Sequence, residues 1–246
     1  PCAMPASSNF QEAIREAQSG ALVGPNVVNK ALPYVGGGMV LTALGVMGGI
    51  SMMASPLFMP LFWVALIGNF ILFFAAQNVA LKGNSGTALP LLAAYSLITG
   101  YTLSGLVSYA LVKAGVGAVG TAALATGFTF VIASFTGRRM SDSVGQALSA
   151  VVGLGMIGLL IAMVVQVIGS IFAPGTFAVG GFELMIAGFG TVLFVGAAFV
   201  DFYTMPRTYS DEQYLAGALG MYLTYINLFV FILRLIIALQ GGGRRD

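Results

Sequence analysis

The chain has 246 residues, 58% hydrophobic and only 7% charged, whereas a soluble globular domain is about 25% charged, so a water-soluble fold is excluded. Its net charge of +2 is too small to argue for nucleic acid. With no histidine and one cysteine, Cys2, there is no basis for Ser-His or Cys-His catalysis, histidine-held metal or haem, or an internal disulfide.

The first 33 residues read as a polar tail carrying Glu12, Arg15 and Glu16, with no signal-type apolar core. Asn9–Ala17 has the pattern of a short amphipathic helix at the membrane surface. The chain begins at Pro1 rather than Met, and trimming of an upstream presequence is one expectation from that.

A spanning helix needs about 20 mostly apolar residues, and residues 34–240 divide into seven such runs. They are Tyr34–Ala54, Leu57–Ala80, Ala88–Leu111, Val116–Phe135, Ala147–Phe172, Ala178–Val200 and Ala216–Leu239. The predicted fold is an all-α, polytopic seven-helix bundle, closed by a basic tail at 241–246. Ser55-Pro56, Lys82–Gly86, Lys113-Ala114-Gly115, Gly137-Arg138-Arg139 and Ala173-Pro174-Gly175 punctuate the runs, and Asp201–Leu215 reads as a longer polar loop. Short connections predict that sequential helices pack as antiparallel neighbours. Gly36-Gly37-Gly38, Gly45 with Gly48-Gly49, and Gly153, Gly155 and Gly158 are expected to mark seams of close helix approach.

Orientation follows the basic residues of the short loops. Arg15, Lys30, Lys82, Arg138, Arg139 and Arg207 fall on one side, Lys113, Arg244 and Arg245 on the other. The N-terminus is expected on the cytoplasmic side or its organellar equivalent.

Three ionisable residues lie within or at the edges of the predicted spans: Glu183, Asp201 and Arg234. A charge at the bilayer centre costs about 2.5–3.5 kcal/mol on insertion scales, so each needs a partner or a function. Glu183 starts span six and Arg234 sits about five turns into span seven. In antiparallel neighbours they reach similar depth, and an intramembrane ion pair is expected. Asp201, at the inner end of span six, is either a solvated headgroup-level carboxylate or a pore-mouth sensor facing the bundle interior. Tyr222, Thr224, Tyr225 and Asn227 line the start of span seven. Thr224 and Asn227 share a face, which should point at other helices.

The run Tyr222-Leu223-Thr224-Tyr225-Ile226-Asn227-Leu228-Phe229, with the later Leu233-Arg234, resembles the C-terminal signature of the Bax inhibitor-1 (transmembrane BAX inhibitor motif) family, roughly Leu-Tyr-x-Asp-x-Ile-Asn-Leu-Phe. Asp201 matches the family's first aspartate, and the Thr136–Asp142 loop and the seven-span layout agree. The resemblance implies a non-enzymatic membrane protein. Many members carry two aspartates, implicated in a pH-responsive gate for a calcium leak; two neighbouring carboxylates share protons and raise each other's pKa. Here the second position is Thr224. In that respect, and in its Gly-x-x-Arg-Asp terminus, the chain is similar to the YccA branch, associated with the membrane protease FtsH.

Two functions follow from the resemblance. The preferred one is binding and modulation of a membrane protease or similar complex, with the N-terminal tail as handle. The alternative is a pH-sensitive calcium or proton leak channel with Asp201 at the inner pore mouth and Thr224 and Asn227 nearby. An intramembrane protease is disfavoured by the missing histidine and the lack of an aspartate pair. No cofactor or metal is expected, and the membrane is that of a bacterial interior, a mitochondrion or a plastid.

Overall fold

The computed structural model describes residues 22–173 and 180–242, with side chains through 240. The amphipathic segment Asn9–Ala17 and the tail beyond 242 lie outside the described residues. Seven helices follow in order: α1 Val27–Met52, α2 Phe58–Leu81, α3 Ser85–Ala114, α4 Val116–Gly137, α5 Asp142–Phe172, α6 Gly181–Thr208 and α7 Tyr214–Gly242. All are long and apolar enough to cross a membrane, and no strand occurs among the described residues. The protein is a seven-span, all-α membrane protein. Large side chains such as Trp63, Phe70, Phe128, Leu154 and Ile171 are exposed, as lipid-facing residues must be.

Contacts between helix ends define two faces. On the N-terminal face the starts of α1, α5 and α7 meet the ends of α2, α4 and α6, through Asn26–Asp211, Arg138–Asn29, Gln213–Leu81 and Arg207–Asp142 contacts. The two tightest connections reverse through glycine at positive φ, Gly83 at 73° and Gly115 at 80°, where an L side chain would be strained.

α7 is central and packs on α1, α2, α3, α4 and α6, while α5 packs chiefly on α6. The expectation that consecutive helices are neighbours fails for α4 with α5, since α4 packs on α6 and α7, and for α1 with α2: the main partner of α1 is α3. Small residues are the reason. A Cβ built on Gly45 would lie 2.1 Å from the Leu97 carbonyl oxygen, and one on Gly49 would lie 2.4 Å from Ser104 Oγ. Without a hydrophobic drive between helices in lipid, such backbone approach supplies the packing energy. Of the glycines expected at seams, Gly38, Gly45, Gly49 and Gly155 make close contacts, whereas Gly36, Gly37, Gly48, Gly153 and Gly158 face open space.

Three boundaries lie well outside those read in the sequence, and the others fall within a turn of them. α1 begins at Val27 rather than Tyr34, so Lys30 lies in its first turn, and α5 begins at Asp142 rather than Ala147. α6 runs to Thr208, so most of the polar Asp201–Leu215 stretch is helix and the connection shrinks to residues 209–213. Hydropathy underestimates these ends because tertiary contacts, not lipid, hold their polar residues. Arg207 donates to Tyr203 O (2.7 Å) and pairs with Asp142 at 3.1 Å, with its guanidinium 4.0 Å from the Tyr203 ring centroid. At the start of α1, Asp211 accepts from the Asn26 N–H at 2.9 Å, a carboxylate at a helix N-terminus worth about 0.3–1 kcal/mol.

Candidate functional site

Extension of α6 places Asp201 inside a helix rather than at its end. Seven residues separate it from Thr208, about 10 Å along the axis. Phe202 and Tyr203 beside it are buried. The Asp201 Oδ2 atom is sealed from solvent and has no hydrogen-bond partner among the described residues. Its polar neighbour is the buried Thr224 side chain, across the α6–α7 seam.

Among the described residues the ion pairs are Arg207–Asp142 and Arg234–Glu183, so no cation is paired with Asp201. The nearby arginines are engaged elsewhere: Arg207 by Asp142 and Tyr203, Arg138 by Asn29 Oδ1 at 2.9 Å. A buried acceptor left unsatisfied costs about 1–3 kcal/mol, and more if it is charged. Such a group points to a role that stability alone does not explain.

Asn227 does not join this pair. It is half-buried, and its amide donates to Leu223 O of its own helix at 2.9 Å. The face shared by Thr224 and Asn227 is therefore only partly turned inward, because an amide long enough to reach back to its own backbone needs no other helix.

At the opposite face Arg234 grips Glu183 bidentately, Nε to Oε1 and Nη2 to Oε2, both at 2.8 Å. Gln166 of α5 completes a triad: its Oε1 accepts from Arg234 Nη2 at 3.1 Å and its Nε2 donates to Glu183 Oε2. The guanidinium also lies 5.2 Å from the Phe231 ring centroid. Sequence reasoning did not include Gln166. Its signal was its isolation, a lone amide deep in the apolar run of span five.

A second group, of which the sequence reading singled out Tyr222 but not Thr42 or Ser96, is a buried hydroxyl cluster joining α1, α3 and α7. Tyr222 OH and Thr42 Oγ1 are 2.6 Å apart, and Thr42 Oγ1 lies 2.8 Å from Gly38 O and 3.2 Å from Ser96 O. Thr42 has one proton, which goes to a carbonyl, so Tyr222 donates to Thr42. The tyrosine ring sits against Gly38, where a Cβ would come within 2.9 Å of it. Tyr222→Phe removes the bond but leaves Thr42 its carbonyl acceptors. The expected loss is about 1 kcal/mol in thermal unfolding, and none once Thr42 is already Val.

With this geometry in hand, comparison with known proteins is specific. A family model described as inhibitor of apoptosis-promoting Bax1 matches residues 24–241, all seven helices. The chain belongs to the Bax inhibitor-1 family. The bacterial relative YrjE of Lactococcus lactis is 31% identical over 232 residues, 91% of this chain and 90% of the relative. Two eukaryotic proteins match over shorter stretches. Bax inhibitor 1 of Schizosaccharomyces pombe is 38% identical over 60 residues, 24% of this chain and 23% of that one. Protein lifeguard 4 of Mus musculus is 33% identical over 58 residues, 24% of each chain. In this Bax inhibitor-1 protein the position opposite Asp201 is a hydroxyl, so the site is a carboxylate–threonine pair. Thr224 cannot share a proton with Asp201 as a second carboxylate would.

Proposed function

We propose that this protein is a slow cation leak, for calcium or protons, in which the Asp201 carboxylate is the group a passing ion meets. The observation that carries this reading is the free Oδ2: a sealed carboxylate oxygen, deep in α6, with Thr224 as its neighbour and no paired cation. A carboxylate and one hydroxyl fall far short of the six to eight oxygens calcium takes in a storage site. Weak, transient coordination is what a leak requires and a buffer does not.

The hydroxyl at 224 carries the other reading, in which the protein binds and modulates a membrane protease complex. The unsatisfied Asp201 favours the leak, because partner binding gives that atom nothing to do. The protein is taken as non-enzymatic in both.

Proteoliposomes loaded with a calcium- or pH-sensitive dye separate the two readings. Asp201→Asn keeps the side chain's shape and removes its charge. Flux is expected to fall at least tenfold for the conducted ion. Equal flux from both proteins, or none from either under a gradient of each ion, would overturn the leak and leave partner binding as the reading to pursue.

A further inference from the structure

Two helices, α2 and α5, are buried in the bundle only towards the N-terminal face. The buried residues of α2 are Ala76 and Ala80, both in its last turns at the N-terminal face. Those of α5 are Gly145, Val152 and Leu159, none in its last 13 residues. A bundle ending in water at its N-terminal face would expose the first turn of α1, yet Val27, Val28 and Ala31 are fully covered.

What covers that turn also ties it down. Gly24 N donates to Pro206 O at 3.0 Å. No larger residue fits at Gly24, since a Cβ there would lie 2.4 Å from the Tyr209 carbonyl oxygen. Asn26 gives Asp211 two hydrogen bonds, from its backbone N to Oδ1 at 2.9 Å and from Nδ2 to Oδ2 at 3.2 Å. Lys30 Nζ reaches Asp211 O at 3.3 Å, and Asn29 holds Arg138 at the end of α4. The segment 24–31 is thus a strap laid across the ends of α4 and α6 and the 209–213 connection. Asp201 lies five residues before Pro206, less than a turn and a half deeper on the helix the strap grips.

We propose that residues 24–31 are the closure of the N-terminal face, and that Asp211 is the positioning residue that latches it over the path to Asp201 and Thr224. Asp211 meets no ion; it acts through the strap. The polar contacts are exposed and few, whereas Val27, Val28 and Ala31 are buried beneath them, so opening lifts the first turn of α1 together with residues 24–26. Closure of the face stands on accessibility alone, whereas the strap's part in ion flow rests on the leak reading above.

The test uses the full-length chain with Cys2→Ser and Thr224→Cys as a single buried thiol. It is reconstituted with the N-terminal face outward and exposed to a membrane-impermeant maleimide. Asp211→Ala, Asn26→Ala and Gly24→Ala are each expected to label at least tenfold faster than the intact strap. Asp211→Asn keeps an acceptor for the Asn26 N–H and is expected to restore most of the protection. Faster labelling at an unchanged unfolding temperature separates an opened face from a weakened fold. Unchanged labelling in Asn26→Ala and Gly24→Ala, with thermal unfolding unaltered, would overturn the closure.

Flux is measured separately in chains that retain Thr224. Faster labelling with no Asp201-dependent flux keeps the strap and removes the leak; faster labelling with Asp201-dependent flux left unchanged keeps both and removes the strap's part in ion flow. Asp201-dependent flux that the strap variants leave unchanged, with labelling also unchanged, keeps the leak and removes the strap.

Discussion

Neutralising either Arg234 or Glu183 alone is expected to destabilise the protein by about 3 kcal/mol, and neutralising both to cost less than either single change. The side chains are 17% and 19% exposed, buried enough that a stranded charge stays poorly solvated. Among the described residues, Arg234→Met leaves Glu183 with the Gln166 amide alone as side-chain donor; Glu183→Gln leaves a guanidinium facing two neutral amides. Each single variant therefore keeps the desolvation cost and loses the attraction that offset it. The double variant removes both charges, and in an apolar surrounding a neutral pair of similar volume is tolerated. Thermal unfolding in detergent gives the cycle, and a double loss smaller than either single loss corresponds to a coupling above about 3 kcal/mol, within the range of close charge pairs. Additive losses would show that the two side chains act independently.

Gly45→Ala should be nearly as damaging, whereas Gly48→Ala three residues on should do no harm. Alanine is favoured over glycine in a helix by about 1 kcal/mol, so both substitutions begin with a gain. At Gly48 nothing lies within 4 Å of the new Cβ, and the gain survives. At Gly45 the methyl would sit 2.1 Å from Leu97 O and 3.1 Å from Gly100 Cα. The obstacle is backbone, so no rotamer change relieves it and α1 must move off α3. Overpacking of a core costs about 1–3 kcal/mol, and a rigid helix-to-helix clash belongs at the upper end. The net expectation is a loss of about 2 kcal/mol for Gly45→Ala, seen as a lower Tm, and an unchanged or higher Tm for Gly48→Ala. Equal behaviour of the two would mean that the α1–α3 seam is not what holds these helices together.

The contrast between these two glycines shows where sequence reading stops. Both sit in the same apolar run, and nothing in composition or spacing says which one meets a neighbour. Hydropathy likewise counted Asp201, Tyr203 and Arg207 as loop. It weighs each side chain against lipid, and these three are weighed in the fold against Thr224, Asp142 and one another. The same blindness placed the start of α1 seven residues late. Asn26, Asn29 and Lys30 look like tail until their partners at Asp211 and Arg138 are known. Glu183 and Arg234, by contrast, were legible as a pair from depth alone, because a charge that far into a span must be compensated. Gln166 was not, since an amide carries no charge to force the question.

By itself the sequence determined that the chain lives in lipid, crosses it seven times and belongs with proteins bearing an aspartate before a Tyr-x-x-x-x-Asn-Leu-Phe helix. Those properties are sums over many residues, and a long apolar run has one way to satisfy its backbone in a bilayer. Only the tertiary structure decided that α1 packs on α3, that one Asp201 oxygen has no partner among the described residues, and that Gly24, Asn26 and Lys30 bind the end of α6 and the connection after it. Each of those depends on two or three atoms meeting from distant parts of the chain, and no local pattern encodes such a meeting.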